Sequence, residues 1–421
     1  MKRYGIVIMI LSFSLWTVAQ NEKWSDSQIK LINLDCLHER GFTGKGVTIA
    51  HLDDGCDGCN LIEVFKYSRD NNYWKGAYDF VRDTILDYDD LGSHGTATIS
   101  IVHGWLEGSY TGAAYDANVL VARTENVRSE THQEEKDWKE AVDWSIENGA
   151  DIITSSLQYN EFDQGEGDYT YEDMDGQTTI ITRAADYAAS KGLLVVTLQG
   201  NFGNDDWYYL TAPGDADSVI TVGAARKDGE KARFSGYGPS FDGRMKPDIL
   251  AMGERTAVAT PDNSIVRGNG TSYAAPAIAG LLACLKQAHP ERTNMQLISA
   301  VRRSGNAYRT PSAEEGIGYG VADACKADDL LIDMDRFFEY PNQWNTGNAL
   351  KYRLKNKKLQ VKTRSKSLKI EKFLLKDIFE KEIKSLKPND SLDISSLDSG
   401  DYLLDVYLNN LSIQTIYFKV D

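Results

Sequence analysis

Positive charge is in short supply: 46 Lys and Arg stand against 62 Asp and Glu in 421 residues, a net charge of −16. Nucleic acid or an anionic membrane as the main partner is therefore excluded, because those surfaces call for a basic footprint. Long apolar runs are also missing. After the N-terminal segment nothing approaches the ~18 consecutive apolar residues of a membrane helix, which excludes a polytopic membrane protein. Five cysteines are too few for a disulfide scaffold, and the odd number leaves at least one thiol. Neither an internal repeat nor a low-complexity tract is present. What remains is ordinary globular usage, 42% apolar and 26% charged, which excludes disorder and collagen.

The N-terminus carries a targeting segment. Met1-Lys2-Arg3 is basic, residues 4–16 form an apolar run too short to cross a bilayer, and Thr17-Val18-Ala19 supplies small residues for cleavage. The expectation is a signal peptide over residues 1–19, a mature chain from near Gln20, and a protein secreted or held at the outer cell surface. Export bears on Cys56-x-x-Cys59. A zinc site needs four ligands, and no second CxxC or HxxxH accompanies this pair, so it reads as a local disulfide or two free thiols.

From Gly46 to about Gly305 short β-branched runs alternate with helical segments. Val47-Thr48-Ile49-Ala50, Val119-Leu120-Val121, Asp151-Ile152-Ile153, Leu193-Leu194-Val195-Val196 and Val219-Ile220-Thr221-Val222 read as strands buried on both faces of a parallel sheet. Residues 134–148 and 178–191 read as amphipathic helices, the second closed by Gly192. The expected fold is a doubly wound α/β domain over residues 20–330. Residues 335–421 hold 16 Lys/Arg against 12 Asp/Glu, a change of sign from the acidic chain before them. Short strand-like runs there (Leu359-Gln360-Val361-Lys362, then residues 402–408 and 413–418), with turns at Pro388-Asn389-Asp390 and Ser399-Gly400, predict a small β-sandwich. The expected linker is 328–348, punctuated by Tyr340-Pro341-Asn342. Loops 87–93 and 164–176 are rich in Asp and Gly and offer oxygen ligands to a structural calcium, but neither has EF-hand spacing. They read as solvated loops, and no cofactor is required.

Three segments carry chemistry. A buried strand delivers Asp53 at its C-terminal end, where ligand groups collect in open α/β sheets, although Asp-Gly after a strand is also an ordinary turn. Of six histidines, only His94 lies in a glycine-flanked loop, Gly92-Ser93-His94-Gly95, where backbone can approach a ligand. His51 shares a strand face with Asp53, and His38, His103, His132 and His289 read as surface or packing residues. Ser272 enters a small-residue helix from Gly268-Asn269-Gly270-Thr271. There it is an N-cap or a nucleophile beside the positive end of the helix dipole. Asn201 follows the run Val195-Val196-Thr197-Leu198-Gln199-Gly200, which places an amide just past a buried strand, as an oxyanion donor requires.

The order Asp, His, Ser resembles that of the subtilisin-type proteases. Thr43-Gly44-Lys45-Gly46-Val47 leading to Asp53, then Ser93-His94-Gly95-Thr96, then Gly200-Asn201, then Gly270-Thr271-Ser272 with Pro276 and Gly280 are similar to the motifs of that family. The resemblance implies a secreted serine endopeptidase acting on protein or peptide substrates. Ser272 would be the nucleophile, His94 the general base and acid, Asp53 the residue that holds the imidazole, and Asn201 the oxyanion donor. Substrate would lie along Ser156, Leu157 and Gln158, with Gln199 and Gly200 in the opposite wall. Arg123-Thr124-Glu125, Gly238-Pro239 and Lys246-Pro247-Asp248 look like secreted subtilases of Bacteroidota bacteria. Tyr340-Pro341-Asn342, Leu392-Asp393-Ile394-Ser395-Ser396-Leu397, Gly400-Asp401-Tyr402 and Tyr417-Phe418-Lys419-Val420 resemble a type IX secretion sorting domain, with Gln343 where proline is usual. That likeness implies contact with secretion machinery or the cell surface.

Several residues depart from the family pattern. Asp54 replaces Ser or Thr, and pointing inward it would raise the pKa of Asp53. Gln158 stands in place of glycine and Gln199 in place of a small residue, and Phe202 follows Asn201. Large residues on both walls imply a narrowed P1 pocket, and keep open a pseudoprotease that binds through an occluded cleft. Only about 25 residues separate Gln20 from the first core strand, too few for a folded inhibitory prodomain.

Overall fold

The structure is a computed structural model that describes residues 22–420, apart from 90–91, 340–344, 347–349, 356, 365–368, 378–381, 388–390 and 409–412. The expected signal peptide, the punctuation at Tyr340-Pro341-Asn342, Gln343 and the turn at Pro388-Asn389-Asp390 lie outside the described residues.

Eight strands form the central sheet: β1 (Thr48–Asp53), β2 (Trp74–Asp79), β3 (Thr84–Ile85), β4 (Asn118–Arg123), β5 (Ile152–Ser155), β6 (Leu194–Leu198), β7 (Ile220–Ala225) and β8 (Ile249–Met252). Their spatial order is β8-β7-β6-β5-β1-β4-β2-β3. Every pairing is parallel except β2 with β3. Each predicted apolar run falls on one of these strands. Because β1, β5, β6 and β7 are buried along their whole length, successive residues serve two cores. Ile49, Ile152 and Val196 pack with the helices Thr271–Ala288 and Asn294–Ser304 on one side. Ala50, Ile153 and Val195 pack with His132–Glu147 and Ile180–Ser190 on the other. The fold is therefore a mostly parallel, doubly wound α/β sheet.

From β1 the chain crosses to β2 on one side and later returns to β5 on the other. The C-terminal ends of β1 and β5 thus flank a point where connections leave in opposite directions, the place where open α/β sheets build their sites. Cys36 on the short helix Asp35–Glu39 is disulfide-bonded to Cys325, Cys56 to Cys59, and Cys284 is a buried free thiol.

After residue 345 two four-stranded antiparallel sheets follow, and Leu350, Leu359 and Val361 of one share a core with Phe373, Leu404 and Phe418 of the other. The linker expected over 328–348 begins instead as part of the helix Ala324–Glu339. Ala324, Ala327 and Leu331 of this helix are buried in the core of the α/β domain, and that apolar face keeps the segment helical.

Candidate active site

Asp53 is the last residue of β1, 2% exposed. Its Oδ1 accepts from His94 Nδ1 at 2.7 Å and from the Asp54 N–H at 2.8 Å, and its Oδ2 accepts from Thr98 Oγ1 at 3.0 Å. Burial pushes this carboxyl up. The His94 charge and these hydrogen bonds outweigh burial, and its pKa is held below the ordinary value. His94 is the first residue of the helix His94–His103. Burial disfavours its cation, but Asp53 and then Asp54 raise its pKa to about 9. A carboxylate that accepts from Nδ1 fixes the tautomer and leaves Nε2 without the proton, as a candidate base requires.

Asp54 does not act as its sequence position implies. Its carboxylate turns to the start of the histidine helix, with Oδ2 accepting from the His94 N–H at 3.1 Å and Oδ1 from the Gly95 N–H at 2.7 Å. The raised pKa, about 6, belongs to Asp54 itself, through burial and the Asp53 charge. Gly95 is obligatory here, since a Cβ would lie 2.0 Å from the Gly55 carbonyl oxygen.

Ser272 is the second residue of the helix Thr271–Ala288, 7% exposed. Pro276 lies four residues on and has no N–H to give to the Ser272 carbonyl. Ser156 Oγ donates to that carbonyl at 2.9 Å, and Ser272 Oγ donates in return to the Ser156 carbonyl at 3.3 Å. A proline inside a helix thus ties the serine to the strand wall just past β5. Among the described residues no hydrogen bond joins Ser272 to His94. The pair lines one cleft, and such contacts commonly tighten only when substrate is bound. Asn201 is oriented by Thr271, whose N–H and Oγ1 donate to its Oδ1 at 2.8 and 3.0 Å. Its Nδ2 therefore points away from the helix.

These side chains border a cleft of about 430 Å³ lined by His94, Ser272, Asn201, Gln158, Phe202 and Glu125 among others. The Subtilase family (Peptidase_S8) matches residues 44–320. The chain belongs to the subtilase family. It is 29% identical over 299 residues to subtilisin NAT of Bacillus subtilis subsp. natto, covering 69% of this chain and 68% of the relative. It is also 29% identical over 287 residues to a subtilisin of Bacillus pumilus, covering 66% and 90%. The fold is like that of MycP1 with its N-terminal propeptide removed, with a TM-score of 0.57, 23% identity and coverage of 72% of this chain and 96% of that one. The prenylagaramide maturation protease PagA gives a TM-score of 0.54 and 23% identity over 71% and 98%. The family is one of serine endopeptidases.

Within this subtilase the predicted substrate wall is divided. Ser156, Leu157 and Gln158 line the cleft, whereas Gln199 and Gly200 are not among its lining residues. Gln199 is 0% exposed, so its side chain is not part of the open surface of this cleft. His51 is set aside as well: its Nε2 lies 2.9 Å from His103 Nε2, and burial lowers its pKa to about 3.

Sequence reasoning missed the acidic side of the cleft, where Glu125, Glu130 and Glu161 join the lining. Burial and the neighbouring Glu134 push Glu125 well above the usual carboxylate range and Glu130 to about 7, and burial raises Glu134 itself to about 7. Carboxylate oxygens of Glu125, Glu130 and Glu134 lie within 4.8 Å of one another. Each of the outer two already has a structural partner: Glu125 is hydrogen-bonded by Tyr159, and Glu134 closes the capping box of the helix His132–Glu147. The carboxylates of Asp168, Asp173 and Asp175, in the loop considered for calcium, accept backbone N–H groups of Phe162, Thr170 and Gln177.

Proposed function

We propose that this subtilase is an exported serine endopeptidase with Asp53, His94 and Ser272 as its triad and Asn201 as its oxyanion donor. The observation that carries the reading is the 2.7 Å contact between His94 Nδ1 and the buried Asp53 carboxylate, in one cleft with Ser272. Ser272 attacks the scissile carbonyl while His94 Nε2 takes its proton and returns it to the leaving amine. Asp53 stabilises the imidazolium formed between those steps. No cofactor takes part. The basic-then-apolar N-terminus supports export, and the likeness of residues 335–421 to a sorting domain supports release or retention at the cell surface through that machinery.

A second reading, a silent binding protein of the same fold, is favoured by one observation: the Gln158 side chain occupies the Asn201 donors. Fluorophosphonate labelling of cell and culture fractions separates the two. The expected outcome is a labelled band in the medium or surface fraction, with an N-terminus near Gln20, that is absent from Ser272→Ala and His94→Ala. A folded wild type that stays unlabelled sinks the protease reading, and a labelled band confined to the cytosol sinks export.

A further inference from the structure

Gln158 follows β5 through Ser156 and Leu157 and turns its side chain back across the cleft. Its Oε1 lies 3.2 Å from Asn201 N and 3.4 Å from Asn201 Nδ2. The identity of the facing atom follows from its partners. Asn201 Oδ1 is claimed by the Thr271 N–H, a group that can only donate, so Nδ2 faces Gln158. The Asn201 N–H also only donates, so the atom of Gln158 that meets both groups is the oxygen. A neutral carbonyl oxygen of the protein itself therefore sits against the donor meant for the developing oxyanion.

Resting on the protease reading above, we propose that Gln158 is an internal ligand of the oxyanion donor that every substrate has to displace, which makes it a determinant of substrate affinity. Both contacts are longer than the 2.7–2.9 Å of charge-assisted hydrogen bonds. A charged oxyanion therefore wins the donor readily, whereas a ground-state carbonyl, itself neutral, competes with Gln158 on nearly equal terms. The bound substrate and the transition state both pay the same displacement relative to the free enzyme, so the occupancy appears in KM more than in kcat. A long peptide offsets this cost with contacts along the cleft, and a short ester or dipeptide meets the same cost with fewer of them. Glycine at this position would leave the donor open at all times.

The test uses the full chain with Gln158→Leu, Gln158→Glu and Gln158→Gly, each checked for folding by thermal melting. Leucine keeps the bulk and removes the acceptor, which separates hydrogen-bond competition from simple obstruction. Gln158→Leu is expected to raise the second-order rate of fluorophosphonate labelling roughly three- to tenfold, the worth of about one neutral hydrogen bond. Gln158→Glu is expected to label more slowly than wild type near neutral pH, because an ionised acceptor holds the donor more strongly. On peptides, Gln158→Leu should lower KM by a similar factor for short and long substrates, with kcat little changed. A labelled wild type beside a Gln158→Leu variant that labels no faster overturns this inference alone, even where Gln158→Gly is faster, since bulk is then the cause. If wild type and all three variants fold yet stay unlabelled, the protease reading falls and this inference with it.

Discussion

Asp53 and His94 hold each other ionised in a site that is buried on the aspartate side, and this sets the expected pH response. His94 must be neutral to act as a base, and its pKa is raised to about 9 by Asp53 and Asp54. The acidic limb of kcat/KM against pH should therefore lie above 6.5, with activity climbing as pH rises toward 9. Asp54→Asn removes one of the two carboxylates that raise His94, so the limb should move to lower pH; a limb that stays in place would show that Asp54 acts only on the helix start. The sign for stability is the reverse. A raised histidine pKa contributes stability that is complete below its unfolded value near 6.5 and is lost as pH rises through about 9. The candidate triad residues and Asn201 were legible in the sequence because their neighbours are glycine, proline and small residues in a fixed order. The orientations of the Asp54 and Gln158 side chains were not, since each depends on a donor far away in sequence.

At the level of the element, the helix Thr271–Ala288 is shaped by what it omits. Pro276 removes one N–H and leaves the Ser272 carbonyl to Ser156. Pro276→Ala should restore the helical bond and stabilise the protein by up to ~3 kcal/mol in a denaturant titration. It should also slow labelling of Ser272 roughly three- to tenfold, because the tie to Ser156 is lost. Equal or faster labelling would mean that the tie does not position the nucleophile. The strands could be read from β-branched apolar runs because a parallel sheet covered on both faces tolerates little else. The helix across 328–339 was missed. Its buried face has meaning only beside the core that receives it, and the acidic residues between read as a linker.

Over the whole molecule, the two domains are joined by more than a tether. Asp405 in the strand Gly400–Leu408 is 1% exposed and accepts from Arg303 at 2.8 Å, with Lys376 Nζ at 3.1 Å, while Leu403 joins the core of the α/β domain. Asp405→Ala leaves the Arg303 guanidinium buried without that carboxylate and should cost about 3–5 kcal/mol. The loss would be read as a lower unfolding midpoint of the full chain; an unchanged midpoint would mean that water reaches Arg303 when Asp405 is gone. Within the α/β domain, the disulfide between Cys36 and Cys325 ties the helix Ala324–Glu339 to the short helix Asp35–Glu39, between residues 289 apart in sequence. Cysteine counting left every pairing open, because proximity of two distant cysteines is set by the path of the chain.

The sequence alone determined the alternation of strand and helix and the two-part organisation, and it singled out Asp53, His94, Asn201 and Ser272 as candidates. Those features rest on local pattern and on short motifs whose chemistry requires particular residue types. Tertiary structure decided which groups face the cleft. It buried Gln199, turned Asp54 to a helix start and set Gln158 on Asn201. It also gathered Glu125, Glu130 and Glu161 beside the candidate nucleophile. The physical reason is that a side chain's direction is fixed by the donors, acceptors and packing it meets across the fold, and those neighbours are not encoded in any local window of the chain.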